Sequence, residues 1–225
     1  MRVIGLSLGL ARAYLLISSQ GLVLVDAGSP GVAGRVIRLM RSLGRDDLRL
    51  IYITHAHLDH YGSAAALRRL TGAQIAIHHA DGQAMSTGAT ELGVARGRGR
   101  IVQWTFPVLE ALLKPEPALP DRLVEDGDSL EDFGLEAVVV HTPGHTSGSS
   151  CLLVEGRIAF AGDLLSTNGG VHAQRYYAED WSLIPSSLHR LQTFEPEWVY
   201  PGHGPVPING QELASLVREQ LISVR

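Results

Sequence analysis

The stretch ITHAHLDHYG, residues 53–62, gathers His55, His57, Asp59 and His60 into six consecutive positions. It follows LRLIYI (48–53), an apolar run that reads as a buried strand, and leads into DHYGSAAALRRL (59–70), which reads as a helix. In an extended segment residues i and i+2 project to one face, so His55 and His57 can grip one cation together. The turn into the helix then brings Asp59 and His60 to a neighbouring point. One strand–loop–helix junction therefore offers ligands to two adjacent cations, at a strand end where chemistry commonly sits. A single buried histidine satisfied by a carbonyl is ordinary. Four such groups left unpaired would be costly to bury.

Outward from this point the chain alternates strand and helix. VIGLSLG (3–9), AYLLIS (13–18) and LVLVDAG (22–28) read as short strands with turns between them. GVAGRVIRLMRSLG (31–44) reads as an amphipathic helix, with Val32, Val36, Leu39 and Leu43 at helical spacing and Gly44 as its stop. AQIAIHH (73–79) is a further strand. Residues 81–121 break the rhythm with dense glycine and proline, and part of GRIVQWTFPVLEALLK (99–114) has helical character. This segment is expected to be a lid-like insertion, with Trp104 and Phe106 facing substrate. From residue 122 strands resume in RLVED, LEAVVVHT, SSCLLVEG and RIAFAGD, with hairpin turns expected at 124–128 and 155–157. A helix over 179–194, a strand over 197–204 and a final helix over 209–224, capped by Asn209, complete the pattern. The element order suggests one domain over 1–225, built as two similar halves packed sheet to sheet with helices outside.

Three later segments repeat the motif of an apolar strand running into glycine and a ligand-type residue. HTPGHTSGS (141–149) offers His141 and His145, AFAGDLL (159–165) offers Asp163, and VYPGHGP (199–205) offers His203. Glycine beside such a residue permits close backbone approach. His78 and His79 end a strand and read as packing or surface residues. His189 falls on a helix and reads as solvated, and Cys151, the single cysteine, reads as a small core residue.

THAHLDH, TPGHTSGS, AGD and PGHG, in this order and preceded by VDAG (25–28), resemble the metallo-β-lactamase superfamily over about residues 13–204. The resemblance implies an α/β fold, an αββα four-layer sandwich of two mixed β-sheets flanked by helices, with a two-metal site at one sheet edge. It implies that His55, His57 and His145 hold the first metal, that Asp59, His60 and His203 hold the second, and that Asp163 bridges both. Asp26 would orient a ligand imidazole, and His145 rather than His141 would be the ligand after TPG.

Imidazole and carboxylate without thiolate suit zinc, with iron or manganese as alternatives. Two divalent metal ions sharing a hydroxide would form a hydrolytic centre for a small ester, thioester or lactone, with Asp59 helping to orient the nucleophile. His172, Tyr176 and Tyr177, beyond the bridging aspartate, are candidate substrate contacts, as a tyrosine is in the lactonase-like branch. Glyoxalase II proper usually adds a helical domain, and only 21 residues follow Gly204, which argues against it. β-Lactamases depart from this second-metal set. The alternatives are a mononuclear-iron oxidoreductase of the persulfide dioxygenase type and a phosphodiesterase.

Composition sets outer bounds. Apolar residues make up 45% of 225, charged residues 19%, and the formal net charge is −4, so a globular chain without the basic field of a nucleic-acid binder is expected. No run approaches a membrane span and no convincing signal peptide opens the chain, which suggests a cytoplasmic protein acting on a small molecule, with a homodimer a further option.

Overall fold

The computed structural model describes residues 1–223; Val224, the expected last residue of the final helix, lies outside them. The first half contains β1 (Arg2–Leu8), β2 (Ala11–Ile17), β3 (Leu22–Val25), α1 (Ala33–Ser42), β4 (Leu48–Ile53), α2 (Leu58–Tyr61), α3 (Ala64–Thr71), β5 (Gln74–His78) and α4 (His79–Thr87). Next come β6 (Val94–Ala95), α5 (Gly99–Leu112) and β7 (Arg122–Val124). The second half contains β8 (Ala137–His141), β9 (Ser150–Val154), β10 (Ile158–Ser166), β11 (His172–Ala173), β12 (Tyr177–Ala178), α6 (Ile184–Gln192), β13 (Trp198–His203), β14 (Ile208–Asn209) and α7 (Gly210–Ser223).

One sheet runs in the order β1-β2-β3-β4-β5-β7, antiparallel as far as β3 and parallel beyond it. The other runs β14-β13-β10-β9-β8, with β11 paired to β10. β6 and β12 form a small separate ribbon. Both sheets are therefore mixed, as the family resemblance implies.

Strand alternation explains the layers. Tyr14, Leu16, Val23, Val25, Leu50 and Tyr52 face Val139, Leu152, Val154 and Phe160 between the sheets. Their neighbours Leu15, Leu24, Ile51 and Ile53 turn outward beneath Val36, Met40, Ala64 and Leu67 of α1 and α3. On the far side Cys151, Leu153, Ala159 and Val199 pack under Leu188, Leu191, Leu213 and Leu216 of α6 and α7. The result is an αββα sandwich. Because β4 is covered on both faces it reads as a continuous apolar run, and each buried Leu or Ile there stabilises the fold by about 2 kcal/mol. Two phenols tie the sheets together near the site: Tyr14 donates to the Pro201 carbonyl at 2.6 Å, and the Tyr52 hydroxyl lies 2.7 Å from that of Ser150.

Two local expectations need correction. The helix after His57 is not continuous but breaks between α2 and α3. The Ser63 hydroxyl donates to the Ser29 carbonyl and accepts the Val32 N–H, which binds the break to the loop between β3 and α1. Residues 124–128 are not a hairpin turn: β7 pairs with β5 and β8 with β9, so this stretch carries the chain from one sheet to the other. The tight turn after β9 does occur, with Glu155 and Gly156 both at positive φ. The last helix starts as expected, since Asn209 Oδ1 accepts the N–H groups of Gln211 and Glu212 while Glu212 returns a bond to the Asn209 N–H.

Among the described residues no helix is long and apolar enough to cross a membrane.

Candidate metal centre

The loops at one edge of the two sheets bring together the seven side chains singled out in the sequence. His55 and His57 follow β4, Asp59 and His60 lie in α2, His145 sits in the loop between β8 and β9, Asp163 lies within β10, and His203 ends β13. His145 Nε2 is 3.2 Å from His55 Nε2 and 3.0 Å from His57 Nδ1. His203 Nε2 is 3.5 Å from Asp59 Oδ2, and His60 Nε2 is 4.0 Å from the same oxygen. Asp163 stands between the sets, with Oδ1 3.3 Å from His60 Nε2 and Oδ2 3.5 Å from His145 Nε2 and 3.2 Å from His203 Nε2. His55, His57 and His145 thus form one group able to hold a metal ion, and Asp59, His60 and His203 form another.

The backbone is shaped for this convergence. The pairing of β10 with β13 shifts register on either side of Gly162, a bulge that presents Asp163. A Cβ on Gly162 would stand 2.6 Å from Thr54 Oγ1, and one on Gly202 would stand 2.4 Å from Asp163 Oδ1. These are the close approaches that the glycines beside the ligands suggested.

The outward-facing ring nitrogens decide what the inward-facing ones can do. His60 Nδ1 donates to Asp26 at 2.8 Å, His57 Nε2 to the Glu91 carbonyl at 2.9 Å, and His203 Nδ1 to the Leu10 carbonyl at 3.1 Å. His55 Nδ1 lies 3.1 Å from the Thr54 hydroxyl, which itself donates to the Asp26 carboxylate, so the hydroxyl oxygen is left to accept. His145 Nδ1 faces the Tyr177 carbonyl at 3.1 Å. The Gln174 amide nitrogen, 2.9 Å away, competes for that same ring nitrogen. Every imidazole has an acceptor on its outer side, so a ring in its neutral form turns the lone pair of its inner nitrogen into the cluster. Asp26 adopts a φ of 60°, an uncommon conformation for a residue other than glycine, and its buried carboxylate also takes the Thr54 N–H.

Charge divides the two sets. Burial, reinforced by the neighbouring imidazoles, holds His55 well below the ordinary histidine range. Burial also lowers His57, and with His57 alongside it pushes His145 down to about 3. In the other set burial opposes protonation, but the carboxylates win: Asp26, Asp163 and Asp59 raise His60 well above its usual value, and Asp163 raises His203 to about 9. Asp163 is correspondingly held well below the carboxylate range, against its burial, by His203 and His60. His60 Nε2 and Asp163 Oδ1 are buried without a hydrogen-bond partner. Converging lone pairs, orphaned polar atoms and buried carboxylates fit divalent cations.

A cavity of about 150 Å³ opens over this cluster, with Asp163 and His203 at one end and Val102, Leu165, His172, Tyr176 and Tyr177 along its walls. The three candidate contacts beyond Asp163 therefore do lie at the site. Trp104 and Phe106 do not line it. Trp104 is 83% exposed, and the pocket-facing residue of α5 is Val102. His141 is also separate, stacked on His78 with ring centroids 4.0 Å apart, and its Nε2 lies 2.9 Å from the Ser147 carbonyl. A larger surface cleft of about 460 Å³ beside α7 has no such cluster among the described residues.

Sequence reasoning missed Asp81 and Gln174. Asp81 accepts bonds from Ala56, Thr146 and Gly148, so it touches both loops of the first set. Gln174 was legible only as a polar residue near His172.

Comparison with known proteins agrees with this geometry. A probable metallo-hydrolase, YflN of Bacillus subtilis, is 27% identical over 96% of this chain and 88% of its own length. The hydroxyacylglutathione hydrolase GloC of Haemophilus influenzae is 28% identical over 85% of this chain and 84% of its own. The crystal structure of TTHA1623 in a di-iron-bound form superposes with a TM-score of 0.71 at 29% identity, covering 96% of this chain and 98% of that one. The family model described as the Metallo-beta-lactamase superfamily matches residues 7–203, and the chain belongs to that superfamily.

Proposed function

We propose that the protein is a dinuclear metal-dependent hydrolase of small esters, thioesters or lactones. One observation carries the reading: five imidazoles have their outer nitrogens turned to acceptors, and their inner nitrogens converge with Asp59 and Asp163. His55, His57 and His145 would hold one cation, Asp59, His60 and His203 the other, with Asp163 shared. When bound, two such cations would supply an acidified water as nucleophile and polarise the substrate carbonyl.

The remaining steps belong to the chain. Asp26 holds His60 and, through Thr54, His55 in fixed orientation, so the ligand set is organised before substrate arrives. Asp59 is half-buried, with Oδ2 3.5 Å from His203 Nε2, and its carboxylate can orient the nucleophile. Burial raises the Tyr177 phenol above its ordinary value, which favours the protonated form that can donate to a developing oxyanion. Val102, Leu165 and Tyr176 give the cavity an apolar wall suited to a small acyl group.

A relative named a hydroxyacylglutathione hydrolase and another named a probable metallo-hydrolase support hydrolysis. A mononuclear oxygenase would use two histidines and the aspartate and could keep the residues of the second set without a metal, so the number of metals per chain separates the two readings. The di-iron form of the structural relative keeps iron beside zinc as a candidate. The test is metal analysis of protein purified without added metal, joined to turnover of a thioester, lactone and phosphodiester panel and to sulfide-dependent oxygen uptake. Metal-dependent acyl hydrolysis without oxygen uptake supports the proposal; oxygen uptake with one iron per chain overturns it.

A further inference from the structure

Asp81 is a carboxylate in the first turn of α4 and only 3% exposed. A buried carboxylate needs full hydrogen bonding to be tolerated, and the partners of this one are informative. Its Oδ2 accepts the Ala56 N–H and the Thr146 hydroxyl, each at 2.8 Å, and its Oδ1 accepts the Gly148 N–H at 2.7 Å. Ala56 stands between His55 and His57, and Thr146 directly follows His145. One carboxylate therefore spans the two loops that supply all three histidines of the first set. It touches no imidazole itself.

The fit is specific to this residue and its neighbours. A Cβ on Gly148 would lie 2.5 Å from Asp81 Cγ and Oδ1, so glycine lets the loop close onto the carboxylate. Thr146 is fixed in turn, with its N–H bonded to the Ser149 hydroxyl at 3.0 Å. Both Asp81 oxygens face an N–H donor, so an asparagine amide would have to point its own NH₂ at one of them. Asp26 contacts the His60 imidazole directly and reaches His55 through the Thr54 hydroxyl, whereas Asp81 acts on the three-histidine side through its loops, by two backbone N–H groups and the Thr146 hydroxyl.

We propose that Asp81 is the positioning residue of the three-histidine centre, setting the separation of its two ligand loops and thereby the affinity of that centre for metal. This rests on the two-metal reading given above. Each centre is measured alone, by chelator competition with Zn²⁺. His203→Ala leaves the three-histidine set, and His55→Ala leaves the Asp59–His60–His203 set. In the His203→Ala protein, adding Asp81→Asn should weaken zinc on the order of 10- to 100-fold. In the His55→Ala protein the same change should shift affinity less than about threefold. Thr146→Val removes one of the three bonds while keeping Asp81. It should weaken the three-histidine centre severalfold, and it keeps the test open if Asp81→Asn does not fold. Excess zinc should restore kcat of the Asp81→Asn single variant towards that of the unaltered protein, because Asp81 does not touch the reacting atoms.

Equal weakening of both centres would overturn the proposal, as would unchanged zinc affinity in both variants with only a lower melting temperature. Unaltered protein that binds no zinc would overturn the metal-centre reading as well, so the two failures are distinguishable.

Discussion

The Nδ1 of His60 lies 2.8 Å from the Asp26 carboxylate, and both side chains are buried. Asp26 holds this position in a left-handed backbone conformation that asparagine also tolerates, so Asp26→Asn tests the charge with little backbone strain. The amide oxygen can still accept from His60, but the negative charge that raises its basicity is gone. Binding at the Asp59–His60–His203 set should weaken by about 10- to 100-fold, read by chelator competition. An unchanged second affinity would show that the Asp26 contact serves packing alone.

Tyr177 lies on the cavity wall beside Asp163 and His203. Tyr177→Phe removes the proposed oxyanion donor and keeps the ring. Steady-state kinetics on a small thioester should show kcat lower by about 10- to 100-fold, with KM changed little. A pure KM effect would assign the hydroxyl to ground-state binding.

Helix α5 can be dissected by phase. Val102 lines the cavity and Trp104 points to solvent. Trp104→Ala should leave kcat/KM within about twofold and stability within about 0.5 kcal/mol. Val102→Trp fills part of a cavity of about 150 Å³ and should lower kcat/KM about tenfold for the larger acyl groups. Loss of activity in Trp104→Ala would return that side chain to the substrate path.

His78 gives a pH prediction away from the metal ligands. Burial, with His141 and His79 beside it, pushes His78 down to about 4. Its folded value is below its unfolded one, so between about pH 6.5 and 4 the unfolded chain takes up a proton that the folded chain refuses. The histidine is neutral in both states above that window, and stability is lost progressively as the pH falls through it. His78→Asn keeps an acceptor for the Ala80 N–H and removes the titration. Urea midpoints of the two proteins should diverge on acidification, with the variant losing less. Parallel curves would mean that His78 titrates normally.

The metal cluster was legible because its signal is spacing: His-x-His-x-Asp-His after an apolar strand, and single ligands beside glycine. The layers were legible because β4 and β10 are apolar on both faces while the helices are striped. Asp81 was not legible, since two of its three partners are backbone N–H groups that no side-chain pattern records. The error over Trp104 was one of helical phase. At about 100° per residue, Trp104 lies some 200° round the helix from Val102, whereas Phe106, four residues after Val102, returns to nearly the same face about one turn further along the axis. Composition identified an apolar segment there but not which side faced the cavity. The break in the helix after Tyr61 depends on Ser63 reaching two partners in the loop between β3 and α1, Ser29 and Val32, which only the fold brings close.

The central claim is that seven side chains form two centres sharing Asp163. Its most direct test is metal content per chain after loading with zinc and desalting, compared across the unaltered protein, His55→Ala and His203→Ala. The account predicts about two ions in the first and about one in each variant, with the variants retaining different sites. One ion or fewer in the unaltered, folded protein would contradict it.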